Sequence, residues 1–563
     1  MRTLHLNRAF TTALAIACIS AAAGAQSSSN TGASVRSEVF AGSVSEDYLR
    51  YLQTVGIVPL YPWSSRGFSP LELDRLIPKD TAHPWSGRFA PEYWDVYGVK
   101  FDIHSPQLAG RFNTGAPYGS NDGAIWAGKG LTSSAQLGFT ARYGPASLTL
   151  APIAFRAQNS DFFLPPRGQT GVLVFANPMF GGVDRPERFG ANPYSRLDPG
   201  QSTFSVDLPF VSFGASTANM AWGPATDYPL ILGNNAAGFP HVYVGTSEPL
   251  DLYAVKLHGR VMWGRLAQSP FSPVSGPKLY TSRGEPGRLR FATGAVGSAT
   301  VRGIPGLEIG GARFFHSLWP VSGIPRSYWT KVFTGLFKSD LKALPPLGPG
   351  LPASERGFSD NQLVEIFFRW ALPHSGFELS GEYGREDHSE NARDLFQEID
   401  HSRMYNFGLR KVITHSATSM TAARLEVINF QLPQISNARG EGEIYVHGLI
   451  RQGHTERGQL LGADVGVGAA AGSTVAVDHF TKNGKWTASW KRDLKAELNH
   501  YDTTGYAIKK GMNVSHAVGV EATRFLGDWD LGGGLTFVKE FNRYFLNDAS
   551  NLNAIVEVRY HLR

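Results

Sequence analysis

The chain has 563 residues and a formal net charge of +6, which falls to +4 without Arg2 and Arg8. Its basic residues are scattered, which argues against a nucleic-acid surface. The single cysteine, Cys18, excludes disulfides and leaves no thiol cluster for metal or nucleophilic chemistry. Beyond residue 25 no apolar run is long enough for a membrane-spanning helix.

The chain opens as an export signal. Arg2, His5 and Arg8 make a basic start, Ala9 to Ile19 an apolar run, and Ala23-Gly24-Ala25 a small-residue cleavage site before Gln26. Lipidation at Cys18 is the weaker alternative, because Ala15 replaces a larger aliphatic residue. Residues 1–25 are therefore expected to be a signal peptide, and export places the mature chain outside the cytoplasm.

Helical signals follow over 26–98. Ser43-Val44-Ser45-Glu46 reads as a capping box, with Val44, Tyr48, Leu52 and Val55 at helical spacing and Gly56 as the stop. Ser69-Pro70-Leu71-Glu72 reads as a second start, with proline at the first helical position, and Pro78 as its end. Pro91-Glu92-Tyr93-Trp94 suggests a third, shorter helix.

From residue 99 to 563 the period changes to two. Leu137, Phe139, Ala141 and Tyr143 alternate, as do Phe204, Val206, Leu208 and Phe210. Val364, Ile366, Phe368 and Trp370 share a face opposite Glu365 and Arg369. Such alternation suits strands with one lipid face and one polar lumen face, and glycine and aromatic content are both high. In the last strand Ala554, Val556, Val558, Tyr560 and Leu562 oppose Ile555, Glu557, Arg559 and His561. The expected fold is all-β: an antiparallel outer-membrane β-barrel preceded by a small helical region on the periplasmic side. Closure would remove the edge strands that so much sheet exposes. Two stretches, Asp161–Pro199 and Leu344–Pro352, are proline-rich and read as long loops.

Catalytic patterns are absent from the sequence. There is no Gly-x-Ser-x-Gly elbow, P-loop or His-Glu-x-x-His. His-Ser neighbours recur at 316, 374, 388, 401 and 415, but strand neighbours point to opposite faces, so they read as loop and girdle residues. The Glu386-Asp387-His388 and Glu398-Asp400-His401 clusters match no metal-loop spacing and read as solvated turns. No cofactor, metal or catalytic residue is expected.

The segment Ala221-Trp222-Gly223-Pro224 through Leu232-Gly233-Asn234-Asn235-Ala236 to Phe239-Pro240 resembles the most specific island of the capsule assembly Wzi family. Arg66–Glu72, Arg385–His388, Asp400–Tyr405 and Thr455–Gly462 resemble further islands of that family. The resemblance implies an eighteen-stranded barrel with a periplasmic helical bundle that tethers capsular or extracellular polysaccharide at the cell surface. It departs from the pattern in its length and in ending Leu562-Arg563 rather than on an aromatic residue. Candidate carbohydrate-binding residues are Trp222 and Tyr228, which could stack on a pyranose, and Asp227, Asn234 and Asn235, which could bond its hydroxyls. In each case the alternative is structural: a girdle position for Trp222 and a turn for the asparagine pair. Partners implied are the polysaccharide, outer-membrane lipid and the barrel assembly machinery, with a monomeric state. A porin is the competing reading, and it needs an open, charge-lined lumen.

Overall fold

The computed structural model describes residues 36–89, 93–166, 170–178, 182–274, 289–319, 323–337, 360–431, 444–447, 450–497 and 511–562. The expected signal peptide and Leu344–Pro352 lie outside them. Eighteen antiparallel strands close into a barrel. In chain order they are β1 (Val99–Asn113), β2 (Gly130–Tyr143), β3 (Ala146–Leu150 and Ile153–Ala157), β4 (Tyr194–Asp198 and Thr203–Asp207) and β5 (Ser212–Ser216). Next come β6 (His241–Gly245 and Leu250–Leu252), β7 (Val255–Ala267), β8 (Leu289–Val301), β9 (Leu307–Leu318), β10 (Asp360–Leu372) and β11 (Phe377–Glu386). The wall is completed by β12 (Arg403–Ser416), β13 (Ser419–Asn429), β14 (Ala471–Thr481), β15 (Gly484–Glu497), β16 (Met512–Leu526), β17 (Trp529–Arg543) and β18 (Asn547–Tyr560).

The last strand closes the barrel by pairing with the first, from Asn553↔Asn113 to Arg559↔Gln107. Its alternation behaves as the sequence predicts: Leu552, Val556 and Leu562 are exposed outward, while Asn551, Asn553 and His561 are buried inward. The non-aromatic ending is anchored in other ways. Tyr560 packs on Trp529 with ring centroids 4.6 Å apart. The His561 imidazole meets Ser105 at 2.7 Å and Asp530 at 2.9 Å.

Strands β9 to β13 show the same division. Ile309, Ile366, Phe368, Trp370, Tyr405 and Phe407 face out, whereas Glu308, Glu365, Arg369, Glu378, Glu382 and Glu426 are buried inside. Short turns such as 373–376 and 482–483 gather at one end, and the long connections gather at the other. The Asp161–Pro199 stretch is only partly a loop, because Tyr194–Asp198 pairs with Ile153–Ala157 in the wall. Phe210 leaves its predicted alternation and sits at φ 73° in the turn after β4.

The helices close the short-turn end. Helix α1 (Val44–Thr54) has Ser43 as N-cap, accepting from the Glu46 N–H. The Glu46 carboxylate reaches one residue further back than in a capping box, to the Gly42 N–H at 2.6 Å. Helix α2 (Pro70–Leu76) has the full reciprocal box between Ser69 and Glu72. No third helix forms at Tyr93–Trp94: Trp94–Val96 pairs with Val99–Phe101 as a short hairpin, while Pro91 and Glu92 lie outside the described residues. Period-two chemistry therefore begins earlier than the sequence pattern indicates.

Both helices share an apolar core with the wall. Tyr48, Leu52, Trp63, Leu76 and Trp85 cluster with Val412, Met420 and Phe480. A buried ionic knot fixes the orientation of α1. Glu378 accepts from Arg50 at 3.0 Å, Arg369 at 2.8 Å and Arg410 at 2.6 Å. Removing the carboxylate of this buried network leaves its guanidinium groups without their shared counter-charge, at a cost of about 3–5 kcal/mol. Glu378→Ala is therefore expected to lower unfolding stability in detergent by about that much; an unchanged denaturant midpoint would show that the knot does not hold α1 and the segment around it, the plug of the barrel.

Candidate functional site

Strand β5 is only five residues long, so the chain leaves the wall early and residues 217–240 fold inward as a shelf. An irregular segment buried in a packed lumen carries many backbone groups that need partners. The wall supplies them. Glu382 accepts from the Ala225 N–H at 2.6 Å, and Glu426 accepts from Thr226 at 2.9 Å and Tyr228 at 2.7 Å. The plug adds a two-residue strand pairing, Ser65↔Trp222 and Arg66↔Ala221. A second inserted segment, within 444–470, completes the set: Tyr445 donates to the Leu230 carbonyl at 2.7 Å, and His454 meets the Ile231 carbonyl at 2.6 Å. Burial holds the His454 imidazole near pKa 4, so it stays neutral.

The five residues singled out from the sequence all lie on this shelf, in different settings. Trp222 is 1 % exposed and meets Phe314 edge-on at 6.0 Å. Its ring lies over Gly294, where a Cβ would come within 2.4 Å, so β8 needs glycine there. Trp222 is thus neither a girdle residue nor an open stacking face. Tyr228 is fully buried; its hydroxyl donates to Asp493 at 2.8 Å and accepts from Thr474 at 3.1 Å. In this conformation neither ring offers a face to a sugar, because both serve as pillars of the lumen core.

The other three are polar ties. Asp227 pairs with Arg424 at 3.4 Å. Asn234 donates to the Asn121 carbonyl at 2.9 Å, and the Gly42 backbone of the plug, at φ +80°, lies directly against its side chain. Asn235 donates to the Leu460 carbonyl at 2.9 Å. Asp227 and Asn234 line an inner cavity of about 280 Å³ between shelf and plug. Asn235 lines an outer cavity of about 170 Å³ on the long-loop side.

The outer cavity carries most of the chemistry that the motif search missed. Trp126 and Tyr118 border it beside Arg185, Asp464, Lys491, Lys495 and Glu540. Its charges are paired rather than of one sign: Arg185 with Asp464 at 2.7 Å, Lys491 with Asp493 at 3.5 Å, and Lys495 with Glu540 at 3.4 Å. Paired ions present oriented donors and acceptors with little net field, which suits hydroxyl-rich ligands. A signal was present in the sequence, where Lys491 and Asp493 alternate opposite Trp490 on β15. The remaining residues come from four separated loops and strands, which no linear spacing connects. Of the five recurring His-Ser pairs, His316 is buried in the lumen beside Arg290, not at a girdle.

No family model matches this sequence, and no curated protein matches it. Among solved structures the fold is similar to Wzi of Escherichia coli, described as a carbohydrate-binding β-barrel of the outer membrane involved in group 1 capsule assembly. The two share 12 % identity over 93 % of this chain and 99 % of that one, with a TM-score of 0.56. More distant matches are Pseudomonas aeruginosa OpdQ, at 7 % identity, 81 % and 97 % coverage and TM-score 0.37, and a BenF-like porin of Pseudomonas fluorescens, at 9 %, 82 %, 99 % and 0.37. This is an outer-membrane barrel fold. The strand number that the family resemblance implied is present.

Asp184 ties the loops beside the outer cavity, accepting from the Ser269 N–H at 2.7 Å, and burial pushes its carboxyl up to about 7. A carboxyl raised in the folded state destabilises that state progressively as pH climbs from its unfolded value near 4 through 7. Asp184→Asn removes this dependence. Its thermal midpoint relative to the native protein is expected to be higher at pH 8 than at pH 5, and a pH-independent difference would contradict the assignment.

Proposed function

We propose that this protein is exported by residues 1–25, resides in the outer membrane, and binds and anchors an extracellular or capsular polysaccharide at the cell surface without catalysing a reaction. Short turns in such barrels face the periplasm and long loops face outward, which puts the helices of region 26–98 on the periplasmic side and the outer cavity toward the surface. The carrying observation is a ligand-sized, ion-paired cavity with an aromatic border above a lumen filled by packed side chains. A passage for solute is a poor account of a lumen occupied by Trp222, Tyr228 and the Arg50 knot. The similarity of fold to a carbohydrate-binding barrel supports the same reading.

In this reading Asn235 orients the cavity floor, Asp227 holds the shelf to Arg424 of the wall, and Asn234 holds it to the β1–β2 connection at Asn121. Trp222 and Tyr228 act from behind, as packing. Trp126 supplies the aromatic surface, while Lys495 and Glu540 supply bonds to hydroxyl or carboxylate groups. The barrel needs the assembly machinery for insertion and works as a monomer surrounded by lipid.

Two measurements test this. Trp126→Ala and Lys495→Ala are each expected to weaken co-sedimentation with the host's own polysaccharide about tenfold, the effect of losing about 1.4 kcal/mol. Binding unchanged in both variants would remove the cavity from the account. Deleting the gene is expected to release surface polysaccharide into the medium; polysaccharide that stays fully cell-attached would overturn the anchoring role.

A further inference from the structure

One sector of the outer wall breaks the lipid-facing pattern. Alternation on β7, β8 and β9 sends Met262, Ala292 and Phe314 into the lumen core, so Trp263, Phe291, Arg313 and Phe315 point outward. Yet Phe291 is only 3 % exposed and Arg313 only 8 %. The cover is the described part of the β9–β10 connection, residues 323–337, folded back over the outside of the barrel. Tyr328 and Trp329 lie over Phe291 at 5.5 and 6.1 Å, and Trp263 donates from its indole to the Trp329 carbonyl at 3.0 Å.

Many of the saddle's backbone carbonyls and its Lys331 turn inward to the wall, while Arg326, Ser327 and Thr330 are exposed at its surface. Arg313 donates to the Val332 and Thr334 carbonyls at 3.2 and 3.1 Å, to the Gly335 carbonyl, and to Gln362 at 2.6 Å. Lys331 pairs with Asp360 at 2.6 Å, also against the wall. Tyr328 and Val332 pack inward, but two apolar side chains turn away from the protein: Phe333 is 67 % exposed and Leu336 63 %. The neighbouring β11–β12 connection also ties its carbonyls to the wall and exposes a large apolar side chain, alongside the exposed Glu390, Asn391, Arg393 and Gln397. Tyr383 and Arg385, outward on β11, hold the Ile399 and His401 carbonyls, and Phe396 is 81 % exposed. Carbonyls satisfied against the wall beneath exposed apolar side chains, with charged and polar side chains beside them, is the arrangement of a segment lying at the lipid interface. The exposed residues also continue the belt of Ile309, Ile366 and Phe368 on the same strands.

We propose that these two connections form a monotopic saddle embedded in the outer leaflet, with Phe333, Leu336 and Phe396 in contact with lipid acyl chains. The saddle would fix the height and tilt of the barrel, holding the outer cavity at a set distance above the membrane. The inference is independent of what the cavity binds.

Spin labels at Phe333→Cys and Phe396→Cys, in protein reconstituted into lipid vesicles, read the position directly. Ile366→Cys serves as the lipid-belt reference and the exposed Asp251→Cys, at the end of β6 beside its short turn, as the water reference. Both saddle labels are expected to collide with oxygen and be shielded from a water-soluble nickel chelate, as Ile366 is. Nickel accessibility equal to that at Asp251 would overturn the proposal. Dipolar broadening between labels on different molecules would also overturn it, by showing a second copy in place of lipid.

Discussion

Carboxylates on the inner wall accept the backbone N–H groups of whatever lies inside the barrel, and the interior depends on that exchange. Glu308 holds Trp63 and Ser64 of the plug segment at 2.9 and 3.1 Å, Glu382 and Glu426 hold the shelf, and Glu386 takes the Tyr445 N–H of the second inserted segment. An irregular chain cannot be buried in a packed lumen with unpaired donors, because each would cost about 1–3 kcal/mol. The wall removes that cost by presenting carboxyl oxygens, fixed on its strands, as acceptors for those donors. Glu378 performs the same task for a side chain, gathering three guanidinium groups so that α1 can sit inside.

This arrangement explains why the lumen is filled and why a cavity remains on one side of the filling. The shelf and the 444–470 segment brace each other through Tyr445 and His454, and the shelf rests on the plug through Arg66 and Ser65. Above them the wall still presents charges, and these pair along β15 and between β15 and β17. The proposed polysaccharide binding draws on this floor, because a rigid base beneath paired donors and acceptors leaves little ordering cost to a ligand.

Much of the wall was legible in the sequence because strand alternation is a local property. Val364 to Trp370 against Glu365 and Arg369, and the closing face of Ala554 to Tyr560, read correctly from residue order alone. Helix starts at Ser43 and Ser69 were equally local. The Trp94 hairpin was hidden because its strand is three residues long and follows a helix-like proline and glutamate. The site was less legible. Trp222 and Tyr228 look like stacking residues by type, but their exposure depends on Phe314, Gly294 and Asp493, which lie 60 or more residues away in sequence. The outer cavity joins residues from 117 to 544, and only the tertiary fold brings them together.

The central claim is that the wall carboxylates clamp plug and shelf into a lumen that carries no current. Planar-bilayer recording of the purified protein tests it most directly. The account predicts insertion without steady open steps across the working voltage range. Large, stable, ohmic conductance from the native chain would contradict it and return the barrel to the channel class.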